Sequence, residues 1–176
     1  MPGTLYEFDP VTFITTGCIG EPGHRVFYLQ AQKSGEEVLT LLIEKQQVEA
    51  LANGIEQFLK ELQDKMPTLA DASADYTPRA MQLKTPVDPA FRIGQLGLGY
   101  DADRDLLVIV AQEVLTEGRD PEEVAVARLF ATRSQLRALG EYGRTLIKQG
   151  RPICPLCGQP IDPAGHFCPR SNGHAH

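Results

Sequence analysis

Residues 26–62 read VFYLQAQKSGEEVLTLLIEKQQVEALANGIEQFLKEL, and their hydrophobic period changes partway along. Before Glu44, two short β-rich runs flank a Gly-containing turn, which is the pattern of a β-hairpin. After Glu44, the apolar residues recur at helical spacing and form one stripe that comprises Val48, Leu51, Ile55, Phe58, Leu59 and Leu62. Together with the preceding run FITTGCIG at residues 13–20, this stretch predicts three strands followed by a helix.

The same order of features recurs in residues 91–150, as FRIGQLGLGY, a turn at DADRD, LLVIVAQEVL, a second turn, and a run that ends as a helix. Thr132 and Gln135 form a capping box that predicts the start of this second helix. Between the two copies, residues 66–90 contain four prolines and no sustained periodicity, so they are interpreted as a linker.

The predicted fold class is therefore α+β, with two pseudo-symmetric βββα repeats packed as one body over residues 1–151. Repeat one covers residues 11–65 and repeat two covers residues 91–150. Each repeat is too small to bury a generous core alone, so we expect the two to share one core. The simplest arrangement places antiparallel strands in one layer and both helices on one side. Residues 152–176 are predicted to form a small zinc-knuckle tail.

The composition is that of a soluble globular protein. The chain has 176 residues, of which 42% are hydrophobic and 23% are charged. It contains no apolar run long enough to cross a membrane, and its start, MPGTLYEFDP, lacks the basic and apolar regions of a secretion signal. We therefore expect a cytoplasmic protein that does not associate with membranes.

Charge is distributed unevenly along the chain. Residues 1–127 carry 10 Lys and Arg against 21 Asp and Glu, whereas residues 128–176 carry 7 against 2. The basic part includes Arg133, Arg137, Arg144 and Lys148. These side chains are interpreted as the solvated face of a helix, and the alternative is a surface for phosphate or an acidic partner.

The strongest chemical motif is the tail RPICPLCGQPIDPAGHFCPRSNGHAH at residues 151–176. Cys154 and Cys157 are separated by two residues and lie next to Pro155 and Gly158, which is typical of a zinc knuckle. Such a pair supplies half of a tetrahedral zinc site, and Cys168 is predicted to be the third ligand.

The fourth zinc ligand is predicted to be His166, with His174 as the alternative. His166 is two residues from Cys168, so on a short strand both side chains project from one face, whereas His174 lies near the chain end. A site closed by four protein ligands leaves no open position for water, so the zinc is predicted to be structural.

The turn at residues 20–25 brings an acid, an imidazole and a guanidinium together in Glu21, His24 and Arg25. These residue types could form a general acid–base pair, although turns also select them for solubility. Since substitutions in exposed turns usually have small effects, we expect alanine at Glu21 or Arg25 to leave stability nearly unchanged.

Two other motifs are interpreted as structural. The alternating acids of DADRD resemble the start of a calcium loop but lack its required Gly and Glu, so they are read as a hairpin turn. No helix follows the glycines of residues 91–100, so they are read as easing a twisted or bulged strand rather than cradling a phosphate.

The segments FDPVTFITTGCIGEPGHRVFYLQAQ and IEKQQVEALA and the tail CPLCGQPIDPAGHFCPRSNGH resemble a bacterial family of conserved hypothetical repeat proteins with no assigned activity. The resemblance covers nearly the full length. It implies a pathway shared with kinase-like proteins of the phosphoinositide-kinase type and with histidine-phosphatase-like proteins, near which such members are encoded. It also marks Glu21, Arg25, Glu44, Lys45 and Gln46 as candidate functional positions.

Three functions are consistent with these features. The preferred one is a zinc-binding adaptor module for a protein or nucleotide partner, with a kinase-like or phosphatase-like protein as a candidate partner. The second is an enzyme with a polar site around Glu21, His24, Arg25 and the segment 44–46. The third is nucleic-acid binding through the basic helix and tail, which the acidic body and the lack of interleaved aromatic residues oppose.

Overall fold

The computed structural model describes residues 3–21, 23–73 and 75–149, and confirms the α+β fold class. Within these residues, four strands precede the first helix and three strands precede the second helix. In chain order they are β1 (Leu5–Phe8), β2 (Phe13–Ile19), β3 (Val26–Gln32), β4 (Leu39–Ile43), α1 (Lys45–Lys65), β5 (Pro89–Asp101), β6 (Leu106–Glu113), β7 (Val126–Ala131) and α2 (Arg133–Gln149). Short 3₁₀ turns lie at Pro78–Met81 and Pro121–Glu123.

The strands and helices follow the predicted repeated arrangement, since β2–β3–β4–α1 and β5–β6–β7–α2 have the same order. Within the described residues, seven strands form one sheet in the order β1-β7-β6-β5-β4-β3-β2. Each set of three strands is antiparallel, but β4 pairs with β5 in parallel, and so does β7 with β1. The expectation of an antiparallel layer was therefore wrong. β4 and β5 are parallel because α1 crosses over the sheet between them and returns the chain in the same direction.

The sheet is strongly curled. A flat sheet of seven strands would separate its edge strands by roughly 29 Å. Only residues 9–12 connect β1 with β2, which are those edge strands, and such a short segment reaches about 19 Å at most. The connection is fixed at both ends, because the amide of Val11 donates to the carbonyl of Phe130 and the amide of Thr12 donates to the carbonyl of Gln32, each at 2.8 Å.

Both helices pack on the face of the sheet that carries the buried side chains of Leu29, Leu41 and Ile109. The helices lie side by side, and Gly140 of α2 faces Ala52 of α1. The apolar stripe predicted for α1 forms its buried face, at Val48, Leu51, Ile55 and Leu62, with Phe58 and Leu59 partly buried. The two halves therefore share one hydrophobic core.

The linker covers the opposite face of the first half of the sheet. Three polar side chains, Thr15, Gln30 and Thr40, lie there in one cross-strand row and are fully buried. The side chain of Gln30 exchanges two hydrogen bonds with the backbone of Lys84, at 2.8 and 2.9 Å, and the hydroxyl of Thr15 donates to the carbonyl of Met81 at 2.6 Å. Burial of these polar groups is tolerated because each has a partner.

Among the described residues, neither helix is both long enough and apolar enough to cross a membrane.

Candidate functional site

The candidate site lies where β4 ends and α1 begins. The side chain of Gln47 accepts a hydrogen bond from the amide of Glu44 at 2.8 Å, which is one half of a capping box. The same side chain donates to the carbonyl of Ile93 in β5 at 3.1 Å. The first turn of α1 is thus attached to the neighbouring parallel strand.

A cavity of about 400 Å³ opens beside this junction. It is formed by the start of β3, the end of β4, the first residue of α1 and one residue of β5. Its lining residues are Gly23, Arg25, Val26, Phe27, Leu42, Ile43, Glu44, Lys45 and Arg92.

The polar lining of the cavity is mainly cationic. The guanidinium of Arg92 forms an ion pair with Glu44 at 2.5 Å, and both side chains are about half exposed. The ammonium group of Lys45 has no hydrogen-bond or ion-pair partner among the described residues. Because the start of a helix carries partial positive charge, a lysine at the first helical position lies where helix electrostatics disfavour it.

The pseudo-symmetric repeat offers a comparison within the same chain. Arg133 is the first residue of α2, as Lys45 is the first residue of α1. The side chain of Gln135 accepts a hydrogen bond from the amide of Thr132, the residue before α2, just as the side chain of Gln47 does from the residue before α1. Gln135 also reaches a neighbouring backbone carbonyl, that of Val11, at 3.4 Å. The two junctions therefore share their geometry, but they differ in what surrounds the cation.

At the second junction the cation is neutralised. Arg133 donates to both carboxyl oxygens of Asp105, at 2.9 and 3.0 Å, and to the carbonyl of Ala70 at 2.6 Å. The hydrogen bond from Arg133 holds the pKa of Asp105 below its usual value, against a smaller opposing effect of burial. Burial and the hydrogen bond with Asp105 raise the pKa of Tyr100. This cluster fastens α2 to the β5–β6 hairpin and the linker.

Arg25 also serves to hold the fold together. Its guanidinium donates to the carbonyl of Leu146 in the last turn of α2 at 2.8 Å and lies 3.2 Å from the sulfur of Cys18. It stacks over the ring of Phe27 at 4.8 Å from the ring centre. The side chain is half-buried. The interpretation of Arg25 as an exposed turn residue was therefore wrong, because the end of α2 packs against this turn.

The remaining predicted residues lie outside the cavity lining. Glu21, His24 and Gln46 are exposed, and the turn is closed by a hydrogen bond from the amide of His24 to the carbonyl of Glu21 at 2.8 Å. Gly20 has a φ of 114°, and a Cβ there would lie 2.5 Å from the carbonyl oxygen of His24. The structure thus brings together Arg25, Glu44 and Lys45 of the six predicted residues.

Sequence reasoning missed Arg92 and the role of Gln47. Arg92 reaches the cavity because it pairs with Leu42 in the parallel β4–β5 ladder, 50 positions earlier in the chain. No local pattern reports that register. The capping role of Gln47 could have been found, since an acid followed three residues later by Gln resembles a capping box.

Two exposed apolar side chains flank the cavity. Ile19 and Val26 are cross-strand partners at the end of the β2–β3 hairpin and are 50% and 44% exposed. Val26 itself lines the cavity. The site therefore combines a cationic cavity with an apolar rim.

The basic helix is less available than its sequence suggests. In addition to the bonds of Arg133, Arg137 donates to the carbonyl of Ala72 at 3.0 Å. Arg144 donates to the side chain of Asn53 at 2.7 Å and forms an ion pair with Glu56. These arginines hold the helices and the linker together. The interpretation as a solvated face was wrong for Arg133, whose side chain is 11% exposed, whereas Arg137 and Lys148 are exposed.

Within residues 3–21, 23–73 and 75–149, no group of three or more His, Cys, Asp or Glu side chains is arranged to hold a metal ion. The predicted zinc ligands Cys154, Cys157, Cys168 and His166, with the alternative His174, lie outside the described residues.

Comparison with protein families gives a match over most of the chain. The model of a family described as a protein of unknown function, DUF3090, matches residues 6–168, so the chain belongs to this family. Searches of curated proteins and of solved structures give no match.

Proposed function

We propose that this member of the DUF3090 family is an adaptor module that binds an anionic group of a protein partner in the cavity at the β4–α1 junction. The observation that carries the proposal is the ammonium group of Lys45, which lacks a partner among the described residues. At the equivalent position of the second repeat, Arg133 is paired with Asp105. A cation kept unpaired at a helix start disfavours the helix, so a ligand is the simplest reason for it.

The enzyme alternative receives less support from the geometry. Glu44, the carboxylate at the cavity, is engaged by Arg92, whereas Glu21 and His24 lie on the exposed turn outside the lining. Among the described residues, no acid–base pair converges on the cavity. Nucleic-acid binding is weakened in turn by the intramolecular bonds of the arginines of α2.

The proposal includes a structural zinc in the tail, held by Cys154, Cys157, Cys168 and His166. Thiolates and imidazole are ligands that zinc prefers, and three reduced cysteines suit the cytoplasm, where we place the protein. The family match ends at residue 168 and so includes these four residues but not the alternative ligand His174. That extent supports His166 as the fourth ligand.

Affinity capture with matched variants tests the adaptor proposal. The protein, Lys45→Gln and Lys60→Gln are each used to capture proteins from lysates of the cells that make the chain, and bound proteins are quantified by mass spectrometry. Lys60 is an exposed lysine on the same helix, so the control removes the same charge. We expect at least one partner that is captured by the unsubstituted protein and by Lys60→Gln but not by Lys45→Gln. An identical set of proteins with all three baits would refute the proposal.

We expect Lys45→Gln to remain folded, so that a loss of capture reports a loss of binding. Removing a cation from the first turn of a helix should raise the free energy of unfolding, by about 0.3–1 kcal/mol. A melting temperature of Lys45→Gln equal to or above that of the unsubstituted protein provides this check.

A further inference from the structure

Building on the proposed function, we infer that the anionic group is the phosphate dianion of a phosphorylated side chain, and that Ile19 and Val26 bind an apolar residue beside it. The partner is thus a protein segment that carries a phosphate monoester next to an apolar side chain.

The charge of the cavity matches a dianion. Arg25, Lys45 and Arg92 are positive and Glu44 is negative, which leaves two positive charges in the lining of a protein whose overall net charge is −6. A phosphate monoester carries nearly two negative charges at neutral pH, whereas a carboxylate carries one. The local excess therefore favours a phosphate monoester over an acidic side chain.

Arg92 is oriented for this ligand. Its ion pair with Glu44 uses one end nitrogen, Nη1, and its other donors have no partner among the described residues. A guanidinium presents five donors in a planar fork that suits phosphate oxygens. Glu44 thereby fixes the orientation of the fork, while the ammonium of Lys45 supplies a second charge on the cavity wall.

The apolar rim distinguishes a protein segment from free phosphate. Among the described residues, four large apolar side chains are strongly exposed, namely Leu5, Ile19, Val26 and Leu115. Two of them are cross-strand neighbours at this cavity. An apolar pair beside a cationic cavity is complementary to a ligand with an apolar group next to its charge.

The test measures binding of defined peptides by fluorescence anisotropy. The probe is a blocked, labelled five-residue peptide with phosphoserine at its centre and leucine on each side. Comparison peptides have unphosphorylated serine, or glycine in place of both leucines, and inorganic phosphate is titrated as a competitor. We expect the phosphorylated, leucine-flanked peptide to bind about tenfold tighter than either comparison peptide.

Matched variants locate the binding. Lys45→Gln should weaken the phosphopeptide about tenfold, and Lys60→Gln should not. Val26→Thr should weaken the leucine-flanked phosphopeptide but not the glycine-flanked one, whereas Leu115→Thr, which alters an equally exposed residue elsewhere, should change neither. Threonine keeps the β-branched shape that a strand favours.

The outcomes separate this inference from the proposed function. Equal binding of phosphorylated and unphosphorylated peptides would overturn the phosphate assignment. If inorganic phosphate competes but the leucine flanks add nothing, the ligand is a small phosphorylated molecule and the protein segment is refuted. If cellular capture depends on Lys45 while no phosphopeptide binds, the adaptor proposal stands and this inference fails.

Discussion

Arg25→Ala should destabilise the protein although it lies at a hairpin turn. The guanidinium connects the β2–β3 hairpin with the last turn of α2, through its 2.8 Å hydrogen bond to the carbonyl of Leu146. It also lies against Cys18 and the ring of Phe27. Alanine removes all three contacts and the positive charge near the helix end.

The expected magnitude follows from these contacts. A hydrogen bond to a charged group contributes about 1.5–3 kcal/mol, and a cation at a helix C-terminus contributes about 0.3–1 kcal/mol. These contributions overlap in one side chain, and water can solvate the carbonyl of Leu146 after the substitution. We therefore expect a loss of about 2 kcal/mol, which lowers the melting temperature by about 4–8 °C in a chain of this length.

Urea unfolding followed by circular dichroism measures the effect. A shift of the midpoint at unchanged slope reports a change in stability, since the slope reflects the surface exposed on unfolding. Glu21→Ala, in the same turn, should change stability by less than about 0.5 kcal/mol. Arg25→Lys keeps the positive charge but loses the planar guanidinium. Its loss of stability should therefore lie between that of Glu21→Ala and that of Arg25→Ala. If Arg25→Ala stays within about 0.5 kcal/mol of the unsubstituted protein, the contact with α2 is not a stabilising one.

Three other predictions test separate parts of the protein. Gly94→Ala places a Cβ 2.6 Å from the Cα of Val114 at the bulge of β5 and should cost about 1–3 kcal/mol in urea unfolding, whereas Gly97→Ala, which meets no atom within 4 Å, should be nearly neutral. Asp105→Asn should lower the melting temperature at pH 7, and the difference should shrink as the pH falls below about 4; a difference that is independent of pH would contradict the ion pair. This sign follows because the folded-state pKa of Asp105 is lowered, so its stabilisation is present at higher pH and lost as the carboxyl is protonated. The purified protein should contain one zinc ion per chain, measured by elemental analysis, and Cys157→Ser should abolish it while the circular dichroism of the folded body is retained.

Much of the fold could be predicted because its signals are local. The change of hydrophobic period at Glu44 and the capping box at Thr132 each depend on residues within one turn of a helix. The three strands before each helix could be predicted because their segments alternate between apolar and polar residues or are rich in residues that favour strands. The reading of Gly94 as easing a bulge is confirmed by the register shift between Ile93 and Gln95.

The missed features are non-local. β1 spans four residues, Leu5–Phe8, and its place in the sheet depends on parallel pairing with β7 more than 100 residues later. The role of Arg25 depends on where α2 ends, 121 positions along the chain. Neither partner can be inferred from the residues around the feature itself. Glu44 and Lys45 were identified through the family resemblance of the segment IEKQQVEALA, whereas Arg92 lies outside the segments that carry the resemblance and was not.

The location of the cavity follows from the unequal strands of the two repeats. β4 has five residues and leaves the sheet at Glu44, whereas its parallel neighbour β5 has 13 residues and continues past that point. At this end of the sheet β4 therefore stops before β5 does. Lys45, the first residue of α1, lies beside the end of β4. At the start of α2 in the second repeat, the cation of Arg133 is paired with Asp105. The junction before α2 is therefore closed by an ion pair within the protein, whereas the junction before α1 presents the cation of Lys45 to a cavity.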